Sequence, residues 1–165
     1  MIHPIPKKME LLLVLIIFGI LLILILVWLM RRRTIQVFYT DKPFDQTADD
    51  LARNVDEAGW KLLTTHDIQE KLTGAGYDFK RISVYEICRP DYAAAVLKRD
   101  SNKKFSSLMP CRISLYELKN GQTGLAMINA GLLSSLFGGV IARVMGKAAR
   151  ESELIIHNTM HNTQS

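Results

Sequence analysis

Beyond its first 33 residues, this 165-residue sequence has almost no excess charge of either sign. That stretch holds five of the 21 Lys and Arg residues but one of the 16 Asp and Glu residues, so the formal charge of +5 falls to +1 without it. A nucleic-acid-binding face needs basic residues gathered on the folded part, and none is expected here. The chain also lacks a phosphate-binding loop: "GKAA" (146–149) has neither the upstream glycine nor the following Ser or Thr. "TGAG" (73–76) lacks the strand and helix context of a dinucleotide site. His157 and His161 stand at i and i+4, which puts two imidazoles on one helix face, but no third ligand lies nearby and no metal is expected. His66 before Asp67 has the form of a base held by a carboxylate, although a residue at a helix entry is the commoner meaning. Glu86 and Glu117 both fall in strands without forming a recognisable acid–base pair. Two cysteines are compatible with reduced thiols or with a single disulfide, so they do not assign a compartment. No cofactor is expected.

What the sequence does have is one long apolar run. Residues 11–30, LLLVLIIFGILLILILVWLM, contain no polar side chain, and 20 residues at about 1.5 Å each span the roughly 30 Å hydrocarbon core of a bilayer. A cleavable signal peptide would have a shorter apolar region and a small-residue cleavage site, whereas Trp28-Leu29-Met30-Arg31-Arg32-Arg33 follows here. The expected organisation is a tail at 1–10 carrying Lys7 and Lys8, then an uncleaved single span. Trp28 falls at the membrane interface and Arg31, Arg32 and Arg33 among the headgroups. The lipid bilayer is the first expected partner, and a bacterial inner membrane the expected location. Three arginines after the span against two lysines before it slightly favour a cytoplasmic C-terminal part.

From residue 34 the pattern changes to that of a mixed domain. "TIQVFYT" (34–40), "WKLLTTH" (60–66) and "KRISVYEIC" (80–88) read as strands, as do 111–119 and 122–129, which meet at Asn120-Gly121, a pair suited to a tight hairpin. Helices are expected at 45–58, capped by Asp45 or Thr47 and stopped by Gly59, and at 67–72, capped by Asp67. Pro90 opens a third at 90–98. A closing helix at 130–150 carries Leu132, Leu133, Leu136, Val140, Ile141, Val144 and Met145 on one stripe, and 157–165 reads as a flexible tail. This order predicts an α+β fold: a largely antiparallel five-stranded sheet with helices packed on one face, preceded by one transmembrane helix.

Three blocks carry a family resemblance. "EICRPDYAAAVLKRD", "LMPCRISLYE" followed by the Asn-Gly turn, and "NAGLLSSLFGGVIARVMGKAA" resemble successive blocks of the DUF302 family across residues 37–156, within a domain set at 34–156. The resemblance implies a compact α+β domain akin to the TATA-binding-protein-like group, often a homodimer, with no established activity and hence no catalytic residue to carry over. The family's Cys and Pro positions fall on Cys88, Pro90, Pro110 and Cys111, and its glycine pair on Gly138 and Gly139.

The two thiols are the candidate chemistry. Cys88 precedes Arg89 and a helix N-terminus, both of which favour a thiolate, and Cys111 lies beside Arg112. An antiparallel return from Cys88 to Cys111 would bring the sulfurs together, and the family fold favours that arrangement. Cys88 would then be the nucleophile and Cys111 its resolving partner in sulfur transfer or redox exchange. Structural cysteines are the simpler reading, since free Cys is among the most buried residue types. Leu136-Phe137-Gly138-Gly139-Val140 is a second candidate, because two glycines within a helix need an offset: a close dimer contact, a bend, or a ligand lying on exposed backbone. The reading ranked first is a non-catalytic binding or interaction module at the membrane surface. Arg89, Pro90, Pro110, Arg112, Phe137, Gly138 and Gly139 are its candidate binding residues, and thiol chemistry is the alternative.

Overall fold

The computed structural model describes residues 7–134 and 137–161 and divides into two units, Met1–Thr34 and Ile35–Ser165. The first is helix α1, Lys7–Thr34. Its stretch Leu11–Thr34 is long and apolar enough to cross a membrane, and its large side chains are exposed along its length. Arg31, Arg32 and Arg33 occupy the last turn, where positive charge complements the helix dipole, and the Arg32 guanidinium lies 3.9 Å above the Trp28 ring. Helix α1 already includes Lys7 and Lys8, so only residues 1–6 of the expected tail are left, and these fall outside the described residues.

The second unit is built on five strands: β1 Ile35–Thr40, β2 Lys61–Asp67, β3 Ile82–Cys88, β4 Cys111–Glu117 and β5 Thr123–Ile128. They lie in the order β1-β5-β4-β3-β2, and every neighbouring pair is antiparallel. The β2–β3 register slips between Leu62 and Thr64, so Leu63 bulges out. Side chains alternate across the sheet as the pleat requires. Ser83, Tyr85 and Ile87 of β3, Ile113 and Leu115 of β4, and Leu125 and Met127 of β5 are all buried on one face. On the other face Tyr39, Gly124 and Tyr116 stand in a row across three strands. A Cβ on Gly124 would run into the Tyr116 ring, so this glycine is what lets the ring lie down on the sheet.

Helix α2, Phe44–Glu57, brings Phe44, Leu51 and Val55 to the buried face, and α6, Gly139–His161, brings Ala148, Ile155 and Ile156. Fully burying one such aliphatic side chain contributes about 1.5–3 kcal/mol, so this single layer dominates the stability of the unit. Neither Asp45 nor Thr47 caps α2. Pro43 takes the N-cap without a side-chain bond, and Thr47 Oγ1 instead donates to Pro43 O at 2.9 Å. Gly59, at φ 75°, ends the turn after α2. Helix α3, Ile68–Gly74, is capped by Asp67 as expected, whose carboxylate accepts from Glu70 N at 2.8 Å.

An ionic clasp holds α2 to the far end of α6. The buried Asp50 carboxylate accepts from Lys42 Nζ at 2.8 Å and also from Arg53, while Lys42 Nζ reaches Thr159 O at 2.9 Å. Burial would raise the Asp50 pKa, but the hydrogen bonds from Lys42 and Arg53 outweigh it and hold the carboxyl below its ordinary value. Thr159 is itself fully buried, so 157–161 are the ordered end of α6 and not a tail; 162–165 lie outside the described residues.

The hairpin from β4 to β5 turns one residue earlier than expected. Gly121 N donates to Leu118 O at 3.0 Å, which places Lys119 and Asn120 at the centre of the turn and Gly121, at φ 87°, in its left-handed exit. The expected closing helix is two helices, α5 Ala130–Ser134 and α6. Gly138 and Gly139 lie at the break with φ of 69° and 59°, conformations that L side chains rarely adopt, so backbone geometry accounts for the glycine pair. Leu136 of the expected stripe lies outside the described residues. Between β3 and β4 run α4, Pro90–Leu97, and a 3-10 segment, Asp100–Leu108. A second apolar cluster of Val96, Ile141 and Met145, joined by Phe105 and Met109, holds them against α6.

Candidate functional site

Cys111 opens β4 and stands opposite Ile87, the residue before Cys88, so the antiparallel return brings the two thiols to adjacent strand ends. Both are free. They line one cavity of about 60 Å³ together with Trp60, Ile87, Arg89, Tyr92, Met109, Pro110, Met145 and Ala148. A second cavity, of about 150 Å³, lies on the other side of Pro110 and Cys111, under α6 at the ends of β4 and β5. Ile113, Met127, Met145, Ala149 and Ser152 form its inner wall, with Ser107, Leu108, Arg112 and Ile128 reaching out to solvent. Leu108, Pro110, Cys111, Ala130 and Met145 line both cavities and form the partition between them.

Burial disfavours the thiolate form at both positions. Burial pushes the Cys88 pKa above its ordinary value, and burial together with the neighbouring Cys88 pushes Cys111 up to about 11. The expected cation is engaged elsewhere: Arg89 donates to Glu151 Oε2 at 2.8 Å and to Asp91 Oδ1 at 3.1 Å, and its guanidinium lies over the Tyr92 ring. Pro90 begins α4 as expected. Arg112 leaves its strand on the face opposite Cys111 and Ile113, where its Nε donates to Glu86 Oε1 at 2.9 Å. That hydrogen bond is the largest influence on Glu86 and holds its carboxyl below the ordinary value, with His66 Nε2 also 3.4 Å from the same oxygen.

One network escapes a reading of the sequence. Glu151 of α6 accepts from Tyr92 OH at 2.6 Å, Arg89 at 2.8 Å and Trp60 Nε1 at 3.1 Å, so one carboxylate ties α6 to the start of β2 and to α4 beside the first cavity. Burial would raise its pKa, but the hydrogen bonds from Tyr92, Trp60 and Arg89 outweigh that and hold it low. Only the i, i+4 spacing of Lys147 and Glu151 marked this carboxylate in the sequence. Ser152, the next residue, is 1% exposed, and its hydroxyl is the single buried side-chain N or O atom without a partner among the described residues.

The remaining candidates lie apart from the cavities. Phe137 packs edge-on against Phe105 at 5.0 Å, and neither it nor Gly138 or Gly139 lines either cavity. Pro90 is not in either wall. Glu117 faces Lys80 and Arg81 at the other end of the sheet, so it does not meet Glu86. That end carries a wider depression of about 890 Å³, where Lys80 and Arg81 each pair with Glu117. His66 faces Glu86 while Asp67 caps α3, so the two form no dyad. His157 and His161 stack at 6.3 Å, His157 with its edge toward Phe38, and no group of three or more metal-ligating residues occurs among the described residues.

Residues 35–158 match the family model for DUF302, described as a domain of unknown function. The crystal structure of an uncharacterised conserved DUF302 protein from Bacillus stearothermophilus has a similar fold, with a TM-score of 0.68 at 20% identity. The match covers 76% of this chain and 98% of that one. No curated protein matches the sequence.

Proposed function

The chain belongs to the DUF302 family, which brings a fold without an activity, and from the cavities we propose that it is a membrane-tethered binding module for a small apolar ligand. The observation that carries this reading is the pair of adjoining, largely apolar cavities meeting at Pro110 and Cys111. Ligand sites are typically concave and apolar with a few placed polar groups, and these cavities have that character. An engineered apolar cavity of about 150 Å³ in another protein accepts benzene, which sets the size of molecule the second cavity can take. Neutral thiols suit the same role: a protonated Cys behaves as a small hydrophobe, and Cys111 with its raised pKa is an apolar wall. In this reading α1 holds the module at the bilayer, where apolar molecules concentrate. Thiol exchange is the weaker proposal because it needs a thiolate that burial disfavours.

The test uses the full chain in lipid nanodiscs with labelled Met and Ala methyl groups, titrated with benzene. Saturable shifts at Met145, Ala148 or Ala149 are expected, and Ala149→Leu should remove those of the second cavity while the protein stays folded. Shifts that only grow in proportion to added benzene, or that are unchanged by Ala149→Leu, would sink the proposal.

A further inference from the structure

The first cavity differs from the second in size and in the chemistry of its wall. At about 60 Å³ it is smaller than the space that accepts a benzene ring, yet ample for a single ion. Its wall is rich in sulfur. Cys88 at the end of β3, Met109 and Cys111 on either side of Pro110, and Met145 of α6 all line it, so separate elements bring two thiols and two thioethers to one small space. Two of these relationships are seen apart from the cavity outline. The charge of Cys88 acts on Cys111, and Met109 packs against the apolar cluster that contains Met145.

The donor set decides what such a space can hold. Thiolate and thioether sulfur are soft ligands, which favour Cu(I) over the hard cations that seek oxygen. A structural zinc ion takes four ligands from Cys, His and carboxylates, and no third His, Cys, Asp or Glu joins the two thiols among the described residues. The wall contains no carboxylate and one cation, Arg89, which disfavours a free divalent ion. A monovalent ion on two thiolates instead leaves one net negative charge beside that guanidinium. The raised pKa of the thiols does not prevent this, because a coordinating thiol gives up its proton as the metal–sulfur bond forms.

Going beyond the apolar-ligand reading, we infer that the first cavity is a binding site for one Cu(I) ion, with Cys88 and Cys111 as thiolate ligands and Met109 and Met145 as thioether donors. Two S–H bonds give way to two copper–sulfur bonds, two protons leave to solvent, and neither the metal nor the sulfur changes oxidation state.

The full chain in lipid nanodiscs, with its thiols reduced and oxygen excluded, is titrated with Cu(I) in competition with the chromogenic chelator bicinchoninate, and the bound metal is examined by X-ray absorption. One ion per chain in an all-sulfur shell is expected. Cys88→Ser and Cys111→Ser should each abolish the competition, and Cys111→Ala serves if the serine variant does not fold. Met145→Leu keeps an apolar side chain of similar size and should lower the affinity about tenfold, the low end of what supporting groups contribute to metal binding. The site is overturned if the wild type does not compete, if competition survives in the folded cysteine variants, or if the shell contains nitrogen, which would move the ion to His157 and His161. An affinity unchanged by both Met109→Leu and Met145→Leu overturns the four-sulfur assignment. Saturable benzene binding in the second cavity is read separately, so each proposal can fail without the other.

Discussion

Cys111 faces Ile87 across the β3–β4 ladder, one residue from Cys88, and both thiols are held protonated by burial. Alkylation of the folded chain near neutral pH should accordingly be slow at both positions, and slower at Cys111 than at Cys88. Because a raised thiol pKa means that the folded state keeps a proton the unfolded state has released, stability should decline as pH rises from about 8.5 toward the folded value of about 11. Mass-spectrometric labelling rates and thermal melts between pH 7 and 11 check both expectations. Rapid neutral-pH labelling of Cys88 would instead return thiol exchange to first place.

Replacing Cys88 by Ser separates the two functional readings directly. Benzene binding in the cavities should survive this change within a few-fold, since the residue contributes wall and not chemistry. A loss of binding greater than tenfold in a folded variant would mean that the sulfur has a role the binding reading does not contain.

Glu151→Gln keeps the shape of the Trp60–Tyr92–Arg89 network and removes its charge. With a quarter of this side chain exposed, a loss of about 1–2 kcal/mol is expected at neutral pH. The Glu151 pKa is lowered on folding, so its contribution is present above the ordinary carboxylate range and lost as pH falls through the folded value. Melts of the wild type and the variant should thus converge in acid. Equal separation at pH 3 and pH 7 would rule out the carboxylate as the source.

Asp50→Ala should be more damaging. It removes a carboxylate only 2% exposed from Lys42 and Arg53, and breaking a buried ionic contact from one side costs about 3–5 kcal/mol. Chemical denaturation measures it, and a loss below about 1 kcal/mol would show that the clasp is not what holds α2 to α6.

The expected tether is tested by fractionation. The full chain should remain with membranes after alkaline carbonate extraction, while a chain lacking residues 1–33 should be released. A protein found in the soluble fraction with its N-terminus removed would identify the apolar run as a signal peptide. A reporter fused at the C-terminus is expected to be active in the cytoplasm.

How much could be read from residues alone depended on the range of the interaction. The strands announced themselves by local alternation, whereas the antiparallel return from Cys88 to Cys111 was implied by the family resemblance. Which face of "ISVYEIC" is covered became visible only once Ile87 and Tyr85 met α2 and α6. The surroundings of the thiols were hidden for the same reason: Arg89 is next to Cys88 in sequence but bonds to Glu151, 62 residues away. Gly138 and Gly139 looked like costly residues inside a helix because a positive φ leaves no mark in composition. Ser152 gave no signal at all, since an unpaired hydroxyl is defined by what surrounds it.

The slip at Leu63 has a consequence for how the sheet ends. Strand β2 is kinked there, begins at the charged Lys61, and is poorly shaped to receive another strand. Strand β1, at the opposite edge, is regular through all six paired residues and carries no charge and no proline. Growth of the sheet by strand addition, whether from a second chain or in aggregation, is therefore polarised: one border is blunted and the other is regular enough to act as a template.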